Sequence, residues 1–258
     1  MKILVVTSEV TFVPDNYNHF LENLFKNLTS EKNLDIQLVV LKNNSLDLPL
    51  KGFALATMGA RSIGGHLIKN SLMARLNNFY QTKEKIAKKY KINLHYFLNP
   101  NSPDFHEFVK NEKIDLIINA RTRFIYKSKI LKLPKISALN IHHGLLPDYR
   151  GTMCDLWALL DERPTGFTIH VMEKKIDDGA IVHKMETSHA GDNLRKNFSQ
   201  LILESSKIEG VEMAKIIKQI NITGTVPIKE DNISPNPIYT KNPDFYSIRQ
   251  LIQKGIEL

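Results

Sequence analysis

Residues 2–7 read Lys-Ile-Leu-Val-Val-Thr, a continuous apolar and β-branched run, and residues 18–28 follow with Phe20, Leu21, Leu24, Phe25 and Leu28 at helical spacing. Strand then helix opens the chain. Working outward, a second strand is expected over 36–41, then a poorly structured stretch through residue 50, then helices over 67–79 and 82–90. A strand over 93–97, a helix from Pro103 to about 111 and a strand over 115–120 continue the pattern. This alternation predicts an α/β fold, a doubly wound and mostly parallel sheet flanked by helices, with ligands beyond the carboxyl ends of the strands. From Thr165 the pattern changes to two shorter strands, 167–172 and 180–186, and a long helix from about residue 193 with Asp192 as its cap. The chain beyond Asn221 is Pro-rich and ends in a short helix near 245–254, so we divide it into a main domain, 1–220, and a C-terminal extension, 221–258.

The 258 residues are 42% hydrophobic and 24% charged, which excludes disordered, collagenous and disulfide-stapled classes. The single cysteine, Cys154, allows neither an intrachain disulfide nor a cysteine-based zinc cluster, and a reducing cytoplasm is the expected compartment. The first apolar run is too short for a signal-peptide core, and no stretch approaches the roughly 18 apolar residues of a membrane span. Lys and Arg outnumber Asp and Glu by 35 to 27, and the net charge of +8 attracts partners rich in phosphate or carboxylate. The basic clusters at 83–91 and 127–135 form no aromatic-interleaved stripe resembling a nucleic-acid platform, so they read as solvated helix faces before they read as an anion-binding surface. The turn at 8–16 contains no Gly, which disfavours a dinucleotide or P-loop site after the first strand.

Residues 137–142, Ser-Ala-Leu-Asn-Ile-His, form a strand whose period of two puts Asn140 and His142 on one face. The Pro and Gly residues of 144–151 then stop the strand at its carboxyl end, where an open α/β sheet holds its ligand. An amide beside an imidazole suits acyl transfer, because the amide N–H can donate to a developing oxyanion while the imidazole moves a proton. No G-x-S-x-G elbow is present and Cys154 falls in a predicted helix, so direct transfer between two bound substrates is expected in place of an acyl-enzyme. On spacing alone the pair reads first as a capped strand end with one ordinary histidine. His143, His170, His183 and His189 lack metal-ligand spacing and read as structural or exposed, so no metal is expected. Trp157 and Phe167 read as core.

Asn140-Ile-His142, followed by Leu145-Leu146-Pro147, Asp148-Tyr-Arg-Gly151, Trp157-Ala, Gly166-Phe-Thr-Ile-His170 and Asp177-Asp-Gly179, resembles the formyl transferases that use 10-formyltetrahydrofolate. That family includes methionyl-tRNA, glycinamide ribonucleotide and sugar-nucleotide formyltransferases, and formyltetrahydrofolate hydrolases. The likeness is closest over 115–182, weaker from residue 1 and thin beyond 186. It implies that Asn140 holds the formyl oxygen, that His142 handles the proton and that Asp177 sits near His142, with Asp177 preferred to Asp178 on the family's spacing from His170. It further implies that backbone groups of Arg123 and Ile125 touch the pterin, with Phe124, Leu146, Pro147 and Asp177 completing the pocket. Asp177 and Asp178 would otherwise be turn residues before Gly179, and the arginines of 121–123 would otherwise lie in solvent.

The sequence departs from the family's pattern at Gly144, where Ser is usual, and in the 8–16 turn, which lacks the phosphate loop of glycinamide ribonucleotide enzymes. The C-terminal β-barrel of methionyl-tRNA formyltransferases and the N-terminal domain of the hydrolases are also not expected here. The resemblance therefore implies an N-formyltransferase acting on a small-molecule primary amine that bears phosphate, an amino sugar on a nucleotide. The alternatives are methionyl-tRNA formylation, which the charge keeps open, formyltetrahydrofolate hydrolysis, and a non-catalytic folate-binding module. The 239–246 stretch reads as a docking tail that either covers the site or pairs two subunits as a homodimer.

Overall fold

The computed structural model of the chain describes residues 1–43, 46–76, 82–189 and 192–258. Its first half contains β1 (Lys2–Ser8), α1 (Asn18–Leu28), β2 (Asp35–Leu41), α2 (Asp47–Met58), α3 (Arg61–Arg75), α4 (Thr82–Lys89), β3 (Asn93–Phe97), α5 (Pro103–Asn111) and β4 (Leu116–Ala120). There follow α6 (Ser128–Leu131), β5 (Ser137–His142), β6 (Tyr149–Gly151), α7 (Cys154–Leu160), β7 (Thr165–Val171) and β8 (Ile181–Ser188). A 3-10 turn (Asn193–Lys196) then leads to α8 (Phe198–Thr223), β9 (Ile238–Thr240) and α9 (Phe245–Gln253).

Because β1 is apolar at successive positions, it contributes to two cores: Ile3 and Val5 join one cluster, Leu4 and Val6 the other. The first cluster is closed by α1 and α8, through Phe20, Leu24, Met213 and Ile217, and the second by α5 and α6, through Phe105, Val109 and Ile130. Helices thus cover both faces, as a sheet apolar on both sides requires. The sheet order is β3-β2-β1-β4-β5-β7-β8. Its first five strands run parallel, whereas β7 lies antiparallel to β5 and β8 antiparallel to β7. The fold is therefore doubly wound and mostly parallel, with an antiparallel edge. A separate two-stranded parallel ribbon joins β6 to β9.

Two expectations from the sequence need correction. Residues 47–50 are not irregular but open α2, and α3 begins at Arg61, well before 67. Neither α2 nor the start of α3 shows the periodic apolar stripe that advertises a helix, because the two are held there by close backbone approach. A Cβ at Gly64 would stand 2.3 Å from the Gly52 carbonyl oxygen, so both glycines are needed for the contact. The predicted end of that second helix, 77–79, lies outside the described residues. The long helix α8 is capped not by Asp192 but by Asn197, whose side chain accepts from the Gln200 N–H at 2.9 Å. A bridge between Asn197 and Glu257 fixes the cap where it stands, after the 3-10 turn.

Candidate active site

Strands β4 and β5 end side by side, and their register sets Asn119 opposite Asn140. From the other side β7 sets His170 opposite Asn140. The three side chains form a relay whose direction is fixed at both ends. The Thr122 backbone N–H and hydroxyl donate to Asn119 Oδ1 at 3.3 and 2.6 Å, and Asn119 Nδ2 donates to Asn140 Oδ1 at 2.8 Å. Asn140 Nδ2 then donates to His170 Nε2 at 3.0 Å, and His170 Nδ1 donates to the Val171 carbonyl at 2.8 Å. A backbone N–H can only donate and a carbonyl only accept, so with the His170 ring neutral every bond between them has one permitted polarity. Asn140 consequently sets one amide N–H on His170 and leaves the other without a partner among the described residues.

His142 follows two residues later on the same face of β5 and is buried. Its Nε2–H donates to the Tyr149 carbonyl at 2.8 Å, and the Cys154 thiol lies 3.5 Å from the same nitrogen. In the neutral ring the lone pair is therefore on Nδ1, which faces Asp177 Oδ2 at 3.4 Å. Burial lowers the His142 pKa below 6.5; the Asp177 carboxylate opposes this shift and the neighbouring His170 and His143 reinforce it.

Asp177 occupies a left-handed conformation, φ 52°, in the loop between β7 and β8. Its Oδ2 accepts from the Gly151 N–H at 2.9 Å and its Oδ1 lies 3.5 Å from His170 Nε2. Burial alone would raise this carboxyl, but His142, His170 and the Gly151 N–H outweigh it and hold the pKa down at about 2. Asp178 turns the other way and pairs with Arg150.

The structure thus brings Asn140, His142 and Asp177 together. Arg123, Phe124 and Ile125 lie in the loop after β4, whose Thr122 anchors the relay. The Arg123 guanidinium reaches Asp47 Oδ2 at 3.2 Å and Asn43 Oδ1 at 3.4 Å, Phe124 packs on the second core, and Ile125 is 62% exposed. Leu146 is sealed in the core and its N–H donates to Thr168 Oγ1 at 3.0 Å, while Pro147 is half-buried after a cis peptide bond.

Sequence reasoning missed Asn119 and His170, and it missed a buried polar cluster behind the site. Arg121 donates to His143 Nδ1, and His143 Nε2 faces Glu209 Oε2 at 3.1 Å. Glu209, on α8, also accepts from Tyr17 Oη at 2.5 Å and from Ser205 Oγ at 2.6 Å. Burial raises the Glu209 carboxyl, but His143 and Arg121 outweigh it and bring the pKa to about 2. A glutamate on the buried stripe of a long helix is the one signal that could have pointed to this cluster. Among the described residues no group of His, Cys, Asp and Glu could hold a metal, and no helix is long and apolar enough to cross a membrane.

The formyl transferase family matches residues 74–207, half of the chain, and the chain belongs to that family. It is 32% identical over 142 residues to the bifunctional polymyxin resistance protein ArnA of Wigglesworthia glossinidia brevipalpis, an alignment covering 54% of this chain and 22% of that protein. It is 41% identical over 83 residues to the GDP-perosamine N-formyltransferase of Brucella melitensis, 32% of each chain. The matched part therefore spans less than a third of either relative. A sugar N-formyltransferase from Shewanella shares the fold, with a TM-score of 0.60 and 16% identity over 93% of this chain and 76% of that one.

Proposed function

We propose that the protein moves a formyl group from 10-formyltetrahydrofolate to a primary amine, that of an amino sugar carried on a nucleotide. The observation that carries this reading is the orientation of Asn140, which keeps one N–H to spare two residues before the buried His142, whose Nδ1 faces Asp177. Acyl transfer to an amine must stabilise negative charge on the formyl oxygen and remove a proton from the attacking nitrogen. The Asn140 N–H meets the first need. The His142 Nδ1 meets the second, since a proton held there lies against the Asp177 carboxylate.

The folate donor, when bound, supplies the activated formyl carbon. Residues fit to hold it are the backbone of Arg123 and Ile125, with the open Ile125 side chain offering an apolar face to a flat ring, and the loop around Asp177. The likeness to a GDP-perosamine N-formyltransferase supports an amino sugar as acceptor.

Tetrahydrofolate release, followed with amino-sugar nucleotides, methionyl-tRNA and water alone, tests the reading. Asn140→Ala, His142→Ala and Asp177→Asn should each lower the amine-dependent rate by about 100-fold or more. Release with water alone at the wild-type rate would make the protein a hydrolase. Formylation of charged tRNA without any of the sugars would overturn the acceptor, and folate binding that never turns over would leave a binding module.

A further inference from the structure

The segment beyond α8 meets the site from behind at two points. Asn232 is buried, and its side-chain amide donates to the carbonyl oxygens of Asp177 at 2.8 Å and Gly179 at 3.1 Å. Its own Oδ1 accepts from Arg150 Nη2 at 3.1 Å, and Arg150 in turn pairs with Asp178. Further on, β9 runs beside β6, and the Thr240 hydroxyl lies 3.0 and 2.8 Å from the Arg150 and Thr152 carbonyls. With its one proton committed to those carbonyls, Thr240 accepts from the Cys154 thiol at 3.2 Å, leaving the sulfur lone pairs toward His142 Nε2–H.

Resting on the function proposed above, we infer that Asn232 is a positioning residue, which holds the 177–179 turn so that the Asp177 carboxylate stays against His142. The turn needs such a hold. Asp177 is strained at φ 52°, and neither it nor Gly179 lies in a helix or strand that would occupy its carbonyl. An amide is the side chain that can donate to two carbonyls while accepting from a guanidinium. The Asp177 carboxylate is itself tied to Gly151 of β6, which β9 pairs with, so the same segment steadies both ends of the contact.

The groups facing His142 are Asp177 from the loop, His170 from β7, His143 from the end of its own strand and Cys154 from α7. Of these only Asp177 is held by Asn232. Histidine titration by NMR therefore reads the hold directly and needs no turnover. In Asn232→Ala the His142 midpoint should fall by about one pH unit, in the same direction as in Asp177→Asn, because a carboxylate that favours the imidazolium has moved away. The amine-dependent rate should fall about tenfold or more. Asn232→Ser, which keeps a hydroxyl near Arg150 but is too short for the carbonyls, should give the same shift if the alanine variant does not fold. A folded variant with lowered thermal stability but a wild-type His142 midpoint would show mere packing and overturn the inference. A shifted midpoint in a protein that transfers no formyl group would keep Asn232 as the holder of Asp177 and refute the proposed function alone.

Discussion

Asn140 would be an ordinary strand-end amide if it were free to flip. The Thr122 N–H at one end of its relay and the Val171 carbonyl at the other remove that freedom, so the amide nitrogen is held as a donor without reorganising. The ring of His142 is confined just as closely, and Gly144 is part of the confinement. A Cβ at position 144 would stand 2.7 Å from His142 Nε2 and 2.8 Å from Cys154 Cβ, so the room that a Ser would need is taken by the cysteine. Gly144→Ala should therefore push the ring off its Tyr149 contact. We expect kcat/KM to fall about ten- to a hundredfold, with a cost of only about 1–3 kcal/mol in chemical denaturation; an unchanged kcat/KM would show that the ring tolerates the methyl. At this scale the sequence was legible where chemistry and spacing coincide. Asn140 and His142 share a face by strand period, and Asp177 followed from the resemblance. Asn119 and His170 were not legible, because they become neighbours of Asn140 only once β4 and β7 have taken their places on either side of β5.

Among the elements, α8 does more than cover the sheet. It carries Glu209, fully buried, into contact with Tyr17 from the start of α1 and His143 from the end of β5. A buried ion group gives little net stability against an apolar replacement of the same shape, but removing one partner strands the others. Glu209→Ala leaves Arg121 and His143 facing a void, and denaturation should show a loss of about 3–5 kcal/mol. Glu209→Gln retains an acceptor for the tyrosine and should lose less; equal losses would mean that the cavity, not the charge, sets the cost. The elements that the sequence announced are those with one dominant period, such as β1 and α1. Helix α2 and the start of α3 stayed hidden because Gly52 and Gly64 bring the two backbones together where large apolar residues would have made a stripe. The cap at Asn197 was hidden for a related reason, since a distant bridge to Glu257 decides where the helix begins.

For the whole molecule, three buried groups tie the fold and its chemistry to one pH axis. His142 closes β5 and His143 follows it directly, with the Asp177 carboxylate against the one ring and the Glu209 carboxylate against the other. Both carboxyls are held at about 2, below ordinary values of 3.8 and 4.5. Depressed carboxyl pKa values give stability that is fully present above the unfolded values and is lost as pH falls through the folded ones. His142 acts in the same direction from higher pH, because the unfolded ring takes its proton near 6.5 while the buried ring stays neutral. Stability should therefore begin to fall below about pH 6.5 and fall more steeply between about 4.5 and 2, with the growing positive charge of an already basic chain adding repulsion. The chemistry should fail first. The rate needs a neutral His142, so its acid limb belongs below 6.5 but above the steep loss of structure, and Asp177→Asn should move that limb to lower pH while lowering its plateau. Measuring the amine-dependent rate and the far-UV circular dichroism on the same samples separates the two transitions. A limb above 6.5, or one that coincides with unfolding, would take His142 out of the role of base.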